Sequence, residues 1–508
     1  MSGGFDLAIL GSGFGGSLLA MVARRLGRSV LLLERGTHPR FAIGESTSPL
    51  ANLLLEELAQ QYELPRLLPF ATYGTWKKTS PEVPVGLKRG FTYYHHRAGE
   101  PFGADPDRRD QLLVAASPYD EVADTHWYRE AFDAFLVGEA QALGTEYVDR
   151  VSVDSLSRAG GVTTLAGERQ GRTVSYRARF VIDATGPRGA LSRILGLPES
   201  SFPGFPQTQA VFSHFTGAGR FEEQLPGSDE APPYPPDDAA LHHVFEGGWM
   251  WVLRFENGIT SAGFAVEDHL AQELRLEDRE GAWRRFLARF PSVGEQFQDA
   301  EAVQPFFHFP HLSYRCGRVS GPGWALLPSA AAFIDPFFST GFPLTLLGVH
   351  RLAALMRESP DPGAWDLKEY NRVTQREAET AAALVAGCYA AFRDFPAFAA
   401  LSMLYFTAAS YSEMARRLGR GHLASEFLLG NRPPFRSAFE RHLAAAREGR
   451  ASPSAAIYAD LEPFNIAGLC DAEKRNWYGV DLQDVVRGAA RLEANPADVR
   501  GFFERMGW

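Results

Sequence analysis

The sequence predicts an α/β fold that begins with a strand–turn–helix–strand unit and ends in a helical region. Three observations carry this prediction. An apolar run of strand length at residues 5–10 leads into a glycine-rich turn, residues 84–96 and 241–255 are typical of strands, and residues 365–418 have apolar side chains at helical spacing. With 508 residues, 45% of them hydrophobic, the chain can bury a large core.

The N-terminal unit has the order of elements found in dinucleotide-binding folds. A strand at residues 5–10 precedes the pattern G-x-G-x-x-G, a helix at 17–26 follows it, and a strand at 29–33 ends at an acidic residue. The glycines allow a tight turn, close approach to a pyrophosphate, and packing of helix on strand. Free N–H groups at the helix N-terminus favour the pyrophosphate charge. We predict nucleotide contacts at Gly11, Ser12, Gly13, Phe14, Gly15, Gly16, Glu34 and Arg35.

The composition argues against several classes of protein. The net charge of −10 disfavours a nucleic-acid partner, which requires a basic surface. Cys316, Cys388 and Cys470 are far apart and form no C-x-x-C pair, so neither a disulfide framework nor a metal site is predicted. His242 and His243 have no further ligands at metal spacing. No secretory signal and no apolar run of about 18 residues occurs, so we expect a cytoplasmic protein without a membrane span.

The N-terminal unit alone does not distinguish FAD from NAD. In that unit, Arg35 either contacts a 2′-phosphate or is solvated. Two later segments favour FAD. Residues 38–49 precede an apolar helix at 50–58, and their hydroxyl groups either cap that helix or also contact a cofactor. Residues 323–336 form a strand, a run of small residues and an aspartate, which leaves room for a bulky ring system. The predicted contacts are Ser46, Thr47, Ser48 and Asp335.

The glycine-rich turn, residues 38–49 and residues 323–336 together resemble the flavin-dependent halogenases, within the wider FAD-dependent aromatic hydroxylase superfamily. The resemblance runs from about residue 5 to about residue 350. It implies an FAD-binding, Rossmann-like domain interleaved with a β-sheet substrate domain over residues 1–360, with substrate segments at about 70–125 and 195–315. A helical region at 361–508 would cover the substrate pocket.

The resemblance also assigns single residues at the cofactor. Arg129 matches an arginine that contacts flavin, although a surface salt bridge is the alternative. Phe342 would lie beside the cofactor as well.

Lys88 is the predicted catalytic residue. A lysine on a strand is usually solvated. However, the family keeps one lysine after the segment that corresponds to residues 38–49, called the serine-rich segment below, and phenol-acting members have it in a similar G-x-K-x-G-F context. Lys77 and Lys78, in an apparent turn, are the competing candidates. An ammonium can hydrogen-bond hypohalous acid, or a neutral amine can carry the halogen, and either places one electrophile at one point.

Trp249 and Trp251 are two positions apart and would share one face of a strand. They match the family pattern W-x-W-x-I-P, which implies a role in keeping the substrate away from the flavin. Leu253 and Arg254 replace the Ile-Pro pair and put that separation in doubt. Two core tryptophans are the alternative interpretation.

The segment at residues 335–342 precedes an apolar helix at 344–355, with Pro343 in its first turn. Free N–H groups at this helix N-terminus favour an anion, and the family resemblance implies halide binding by Ser339, Thr340 and Gly341. Alternatively, these groups serve only the flavin.

Phe338 stands where tryptophan-acting members have a glutamate that assists the lysine. This difference favours a phenolic or pyrrolic substrate, because such a ring supplies its own electron density. We also place Phe338 beside the substrate.

The resemblance implies that reduced FAD from a separate flavin reductase, dioxygen, and chloride or bromide yield hypohalous acid, which reaches Lys88 and halogenates a small aromatic substrate, free or carrier-tethered. The protein would be a monomer or homodimer. The alternative function is an FAD-dependent aromatic monooxygenase, which the change at Leu253 and Arg254 favours. A third hypothesis is a flavoprotein that binds FAD and a ligand without turnover.

Overall fold

The computed structural model describes residues 4–103, 105–227, 230–450 and 452–506. It confirms the α/β fold. The strands of the described chain are β1 (Phe5–Leu10), β2 (Val30–Leu33), β3 (Val85–Lys88), β4 (Gly90–His96), β5 (Gln111–Ala115), β6 (Asp124–Trp127), β7 (Glu146–Val148), β8 (Val151–Ala159), β9 (Val162–Arg169), β10 (Arg172–Asp183), β11 (Glu199–Ser200), β12 (Thr208–Thr216), β13 (Ala240–Phe245), β14 (Gly248–Arg254), β15 (Thr260–Glu267), β16 (Glu301–Ala302), β17 (Phe307–Phe309), β18 (Tyr314–Cys316), β19 (Ser320–Gly321), β20 (Trp324–Leu326), β21 (Ala332–Phe333) and β22 (Trp477–Tyr478). Its α-helices are α1 (Phe14–Arg25), α2 (Pro49–Gln61), α3 (Tyr73–Thr79), α4 (Arg129–Ala142), α5 (Ala190–Ile194), α6 (Asp268–Leu274), α7 (Glu280–Arg289), α8 (Pro291–Gln296), α9 (Pro328–Ala331), α10 (Gly341–Glu358), α11 (Leu367–Ala391), α12 (Phe395–Arg417), α13 (Pro433–Arg447), α14 (Ser454–Leu461), α15 (Leu482–Arg487) and α16 (Pro496–Met506).

The first large sheet contains the N-terminal unit and has the strand order β19-β20-β10-β1-β2-β7. Strand β1 pairs in parallel with β10 on one side and with β2 on the other. Strands β1 and β2 are mostly buried, as expected for parallel strands that are covered on both faces. The predicted strand at residues 5–10 is confirmed. The following helix begins at Phe14, before the predicted start at residue 17, because the chain enters the helix directly after Gly13.

The second large sheet has the order β16-β12-β15-β14-β13-β4-β5-β22. Nearly all of its strands come from residues 90–115 and 208–302, which lie between elements of the first sheet along the chain. Helices α6, α7 and α8 pack against it through a separate apolar cluster that includes Trp283 and Phe286. The two sheets thus use alternating segments of the chain, while the exact division into domains stays a prediction.

The segment at residues 84–96 is not the single strand that the sequence predicts. It divides at Arg89 into β3, which pairs with β6, and β4, which belongs to the second large sheet. The N–H group of Arg89 donates to the carbonyl of Asp238 at 2.7 Å instead of joining either ladder. Lys88 and Gly90 therefore lie in different sheets and do not share a face.

One further local prediction also changes, because Lys77 and Lys78 lie on α3 rather than in a turn. Residues 241–255 contain strands, as predicted, and form a hairpin of β13 and β14 with both tryptophans on β14. Gly247, with φ +79°, makes the hairpin turn, a conformation that glycine adopts without strain.

The C-terminal region is mainly helical, and it also contributes a strand. Helices α11 and α12 have 25 and 23 residues, and α12 contacts both α2 and α11. Strand β22 pairs in parallel with β5 at the edge of the second sheet. Within the described residues, no helix is long and apolar enough to cross a membrane. Residues 507 and 508 of the predicted C-terminal region lie outside the described part.

Candidate active site

The turn between β1 and α1 needs its glycines for steric reasons. Gly11 has φ +93°, and a Cβ atom there would overlap the backbone of Ala184. A Cβ atom on Gly16 would overlap the carbonyl oxygen of Gly11. Gly13 is the N-cap of α1, and no side chain of the described chain caps that helix end. The first N–H groups of α1 therefore remain available for an anion.

Glu34 directly follows β2 and lies beside this turn. Its carboxylate accepts hydrogen bonds from the Ser12 N–H at 3.0 Å and the Ser12 hydroxyl at 2.9 Å, and it forms an ion pair with Arg40 at 3.4 Å. Burial opposes ionisation, but the charge of Arg40 and the hydrogen bonds from Gly36 and Ser12 outweigh it and lower the pKa of Glu34. Arg40 was not predicted from the sequence, and Arg35 is exposed.

Arg129 is buried, so the alternative of a surface salt bridge is wrong. Its guanidinium forms a two-pronged pair with Asp133 at 2.8 and 2.7 Å. It also donates to the carbonyl of Gly44 at 2.8 Å and lies 4.9 Å from the ring centre of Phe14. Arg129 thus fixes the segment before Ser46 against the glycine-rich turn, and its contact with a flavin stays a prediction.

These groups fit a dinucleotide. The uncapped helix N-terminus suits a diphosphate, and a carboxylate at the end of β2 suits a ribose. His38 Nδ1 and Arg40 Nε are buried and have no hydrogen-bond partner within the described chain, so polar groups of a bound ligand can satisfy them. The donor set therefore fits a dinucleotide such as FAD, and its individual contacts stay predictions.

Lys88 is completely buried, with 0% of its surface exposed. Its Nζ atom donates to the Ser46 hydroxyl at 2.8 Å, to the Thr47 carbonyl, and to the Ser339 hydroxyl at 3.5 Å. It also lies 3.8 Å from the ring centre of Phe91. The structure therefore brings the predicted lysine together with the serine-rich segment and the predicted halide loop.

Asp124 is a residue that sequence reasoning missed. It lies directly opposite Lys88 in the antiparallel pairing of β3 and β6, and its Oδ1 atom accepts a hydrogen bond from Asn52 at 2.9 Å. Burial raises the pKa of Asp124 and Lys88 opposes this, whereas burial lowers the pKa of Lys88 and Asp124 opposes that. No local pattern signals the pairing, because β3 and β6 are short strands far apart in sequence.

The hydroxyl groups of the serine-rich segment have three different partners. Ser48 caps α2 by accepting from the N–H group of Ala51 at 3.3 Å. Thr47 donates to the carbonyl of Thr125 at 2.7 Å, which ties the segment to β6. Ser46 is half-buried and accepts from Lys88. Capping therefore accounts for Ser48 alone, and cofactor contacts of these residues stay predictions.

The loop before α10 is strained at two successive residues. Phe338 has φ +62° and Ser339 has φ +54°, a left-handed backbone that costs of order 1–3 kcal/mol for each non-glycine residue. The Phe337 N–H group donates to Asp335 Oδ1 at 3.0 Å, and that of Ser339 to the Pro336 carbonyl at 3.1 Å. The surrounding structure therefore holds a conformation that the segment alone disfavours.

Asp335 anchors this loop. Trp249 Nε1 donates to its Oδ1 at 3.1 Å, and the Tyr389 hydroxyl donates to its Oδ2 at 3.0 Å. Burial raises the pKa of Asp335 to about 7, and the hydrogen bonds from Phe337, Tyr389 and Trp249 oppose that rise. These contacts are within the protein, so a cofactor role for Asp335 stays a prediction.

The tryptophan pair shares one face of β14, with ring centres 5.6 Å apart, as the spacing predicted. Trp249 is buried against Phe337 at 4.8 Å, and its N–H group reaches Asp335. Trp251 donates to the Ser261 hydroxyl at 3.4 Å. The pair therefore packs in the core, and Trp249 also positions the loop; a part in separating substrate from flavin remains a prediction.

Helix α10 begins at Gly341. Thr340 is its N-cap residue, and within the described chain its side chain makes no capping hydrogen bond. Ser339 is half-buried and Thr340 is buried, whereas Gly341 is exposed and has open space where a Cβ atom would lie. Pro343 lies in the first turn, as predicted. Free N–H groups at a helix N-terminus favour an anion, and halide binding at this helix end stays a prediction.

Phe91, the ring beside Lys88, packs against aromatic side chains of α12. Phe338 stacks on Tyr405 of α12 with ring centres 4.7 Å apart, and Phe91 lies 5.4 Å from Phe406 of the same helix. The C-terminal region thus contributes to the surroundings of Lys88. At the other end of the loop, Phe342 packs on Phe14 at 4.7 Å, close to the glycine-rich turn. Among the described residues, no group of three or more metal-ligating side chains occurs.

The chain is similar to known proteins in sequence and in fold. Residues 124–398 match the family model described as tryptophan halogenase. The chain is 30% identical over 414 residues to monodechloroaminopyrrolnitrin halogenase PrnC of Pseudomonas fluorescens, covering 79% of this chain and 70% of that protein. It is 30% identical over 366 residues to tetracycline 7-halogenase of Kitasatospora aureofaciens, covering 70% of this chain and 64% of that protein. The crystal structure of halogenase PltM in complex with phloroglucinol and FAD matches with a TM-score of 0.83 at 26% identity, covering 93% of this chain and 99% of PltM.

Proposed function

This chain belongs to the tryptophan halogenase family of flavin-dependent halogenases, and on that basis we propose that it halogenates an electron-rich phenolic or pyrrolic ring at Lys88. The observation that carries the proposal is the position of the Lys88 amine. It is fully buried, and it lies within hydrogen-bond distance of Ser46 and Ser339, which are 42 and 251 residues away in sequence. An amine held there can receive hypohalous acid that arrives from the halide loop.

FAD fits the N-terminal site and, when bound in its reduced form, would supply the reaction of dioxygen with chloride or bromide that yields hypohalous acid. The diphosphate would lie at the N-terminus of α1, with the ribose near Glu34. Ser339, Thr340 and Gly341 would hold the halide at the N-terminus of α10. A separate flavin reductase would provide the reduced cofactor.

The protonation of Lys88 suits either form of its chemistry. Burial lowers the pKa of this amine, so that both the ammonium and the neutral amine are accessible near neutral pH. The ammonium donates a hydrogen bond to the oxygen of hypohalous acid. The neutral amine instead takes the halogen, as the oxygen–halogen bond breaks and water leaves with one proton of the amine. Lys88 is fully buried, and the ring centre of Phe91 lies 3.8 Å from its Nζ atom, so the amine is shielded from bulk water.

A phenolic or pyrrolic substrate is favoured by the side chain next to the halide loop. Phe338 provides an apolar face where a glutamate would otherwise assist the lysine, so the ring itself must supply electron density. This choice agrees with the known proteins that the chain resembles. PltM was crystallised with phloroglucinol, and two relatives are named as halogenases of a pyrrole on a carrier protein. The substrate is either free or tethered to a carrier.

The second candidate function is an aromatic monooxygenase, which Leu253 and Arg254 favoured in the sequence. Arg254 forms an ion pair with Asp237 at 3.2 Å and donates to the carbonyl of Ala218 at 3.0 Å. These contacts fix the end of β14 to the loops that contain Ala218 and Asp237. Arg254 therefore has a structural role, and its presence in place of the family's proline does not require a monooxygenase activity.

The test is mass spectrometry of products from a phenol and pyrrole panel that includes phloroglucinol. Each reaction contains FAD, a flavin reductase, NADH and either chloride or bromide. We expect a halide-dependent mass gain that is lost in Lys88→Met and kept in Lys77→Met, because Lys77 is exposed on α3. Both variants should still bind FAD, which is followed by flavin absorbance.

Two outcomes would contradict the proposal. Halogenation that persists in Lys88→Met would exclude this amine as the acceptor of hypohalous acid. Addition of oxygen, independent of halide and of Lys88, would establish the monooxygenase instead.

A further inference from the structure

A buried carboxylate accompanies the buried lysine. Asp124 is 6% exposed and Lys88 is 0% exposed, and their Cα atoms are register partners across β3 and β6. Side chains directly opposite each other in an antiparallel pair have Cβ atoms about 4.5–5.5 Å apart. The amine and the carboxylate therefore share one dry compartment.

Lys88 and Asp124 form their hydrogen bonds with other residues. Lys88 donates to Ser46, to the Thr47 carbonyl and, at longer range, to Ser339. Asp124 accepts from Asn52 through Oδ1, while its Oδ2 atom is buried and has no hydrogen-bond partner in the described part of the chain. A carboxylate in such a position acts on its neighbour mainly through charge.

We propose that Asp124 is a positioning residue of the active centre, whose carboxylate sets the protonation state of Lys88. This proposal rests on the halogenase function proposed above, because it assigns a partner to the lysine of that reaction. Asp124 would supply, from β6, the carboxylate that is missing at Phe338. The pair exists either as ammonium and carboxylate or as amine and carboxylic acid, so one proton moves between the two groups and the net charge of the compartment stays zero.

The other charged and titratable groups around the pair do not replace Asp124. His126 on β6 and His242 on β13 face Lys88, and burial lowers the pKa of both, so they stay neutral. Tyr405 on α12 faces Asp124, and burial raises the pKa of this phenol, which therefore stays protonated.

Glu413 and Arg417, also on α12, act on Asp124 with opposite signs. They form an ion pair with each other at 2.8 Å, so their effects partly cancel. Asp124 is thus the carboxylate whose charge acts directly on Lys88.

The composition makes a direct measurement practical. The chain has five lysines, Lys77, Lys78, Lys88, Lys368 and Lys474, so lysine labelled with ¹³C at Cε gives a short set of NMR signals. Lys88→Met identifies the Lys88 signal by its disappearance. Titration of the full-length, FAD-bound protein then yields the midpoint of Lys88 without substrate, halide or turnover.

The expected result is a downward shift of that midpoint in Asp124→Asn. Loss of the opposite charge leaves burial unopposed, so the ammonium of Lys88 is lost at a pH lower by about one unit or more. Asp124→Glu, which keeps the charge, should retain most of the wild-type midpoint. Asp237→Asn removes another buried carboxylate, which is paired with Arg254, and should not move the midpoint.

A folded Asp124→Asn protein with an unmoved Lys88 midpoint would overturn the proposal. If this variant does not fold, Asn52→Ala decides instead. It removes the hydrogen bond that favours the charged form of Asp124, so the Lys88 midpoint should fall by a smaller amount, and an unchanged midpoint would again overturn the proposal.

Activity provides a second readout. The limb of the pH–rate profile that depends on Lys88 should move to lower pH in Asp124→Asn and stay in place in Asp237→Asn. Failure of the two proposals is distinguishable: halogenation with an unmoved Lys88 midpoint rejects only Asp124, and a moved midpoint without halogenation rejects only the function.

Discussion

Replacement of Asp335 by asparagine should remove a pH dependence that this carboxylate imposes on the stability of the protein. The pKa of Asp335 is about 7 in the folded state, compared with an ordinary value of 3.8, because the group is buried. Between these values the folded state holds a proton that the unfolded state has released. Stability contributed by Asp335 is therefore complete below about pH 4, and is lost as the pH rises to about 7.

The magnitude follows from the size of the shift. Each unit of pH between the two pKa values changes the free energy of unfolding by about 1.4 kcal/mol. From pH 5 to pH 8, only the part up to about pH 7 contributes, so Asp335 should lower the stability by roughly 2–3 kcal/mol. Asparagine has nearly the same shape and retains an acceptor for Trp249 and Phe337, so the loop geometry should survive.

The assay is urea unfolding of the wild-type protein and Asp335→Asn at pH 5 and at pH 8. The difference between the two proteins in their pH dependence isolates Asp335, because other titrating groups contribute equally to both. Asp6→Asn is the control, since the pKa of Asp6 is lowered and its titration lies below this pH range. Equal pH dependence in the wild-type and Asp335→Asn proteins would show that Asp335 ionises without penalty, and would refute the reasoning.

Two glycine substitutions test the ends of the candidate site. Gly16→Ala should reduce FAD affinity and melting temperature because its methyl group would overlap the carbonyl of Gly11, whereas Gly138→Ala, at an open and exposed position of α4, should be neutral or stabilising by up to about 1 kcal/mol. Fluorimetric FAD titration and thermal unfolding measure both, and normal FAD binding by Gly16→Ala would contradict the packing argument. Gly341→Ala has open space around it and should keep the wild-type melting temperature, but should raise the KM for halide at least several-fold; an unchanged KM would place the halide elsewhere.

Sequence alone was sufficient for the parts of the protein whose interactions are local. The order of strand, glycine-rich turn, helix and acid at residues 5–34 predicted the start of the first sheet, because a turn of this geometry requires glycine at fixed positions. The family resemblance directed attention to Lys88 among five lysines. The helix after the loop at 335–342 was also predicted, since Pro343 and the apolar residues that follow are typical of a helix start.

Tertiary structure decided what depends on contacts between distant residues. The break at Arg89, which separates β3 from β4, places Lys88 opposite Asp124, and nothing in either segment encodes that pairing. Sequence interpretation placed Trp249 near the substrate, whereas the structure also gives it a hydrogen bond to Asp335. Such contacts arise from packing across two interleaved sheets. A local pattern fixes the conformation of neighbouring residues, but the burial that shifts the pKa values of Lys88, Asp124 and Asp335 exists only in the assembled fold.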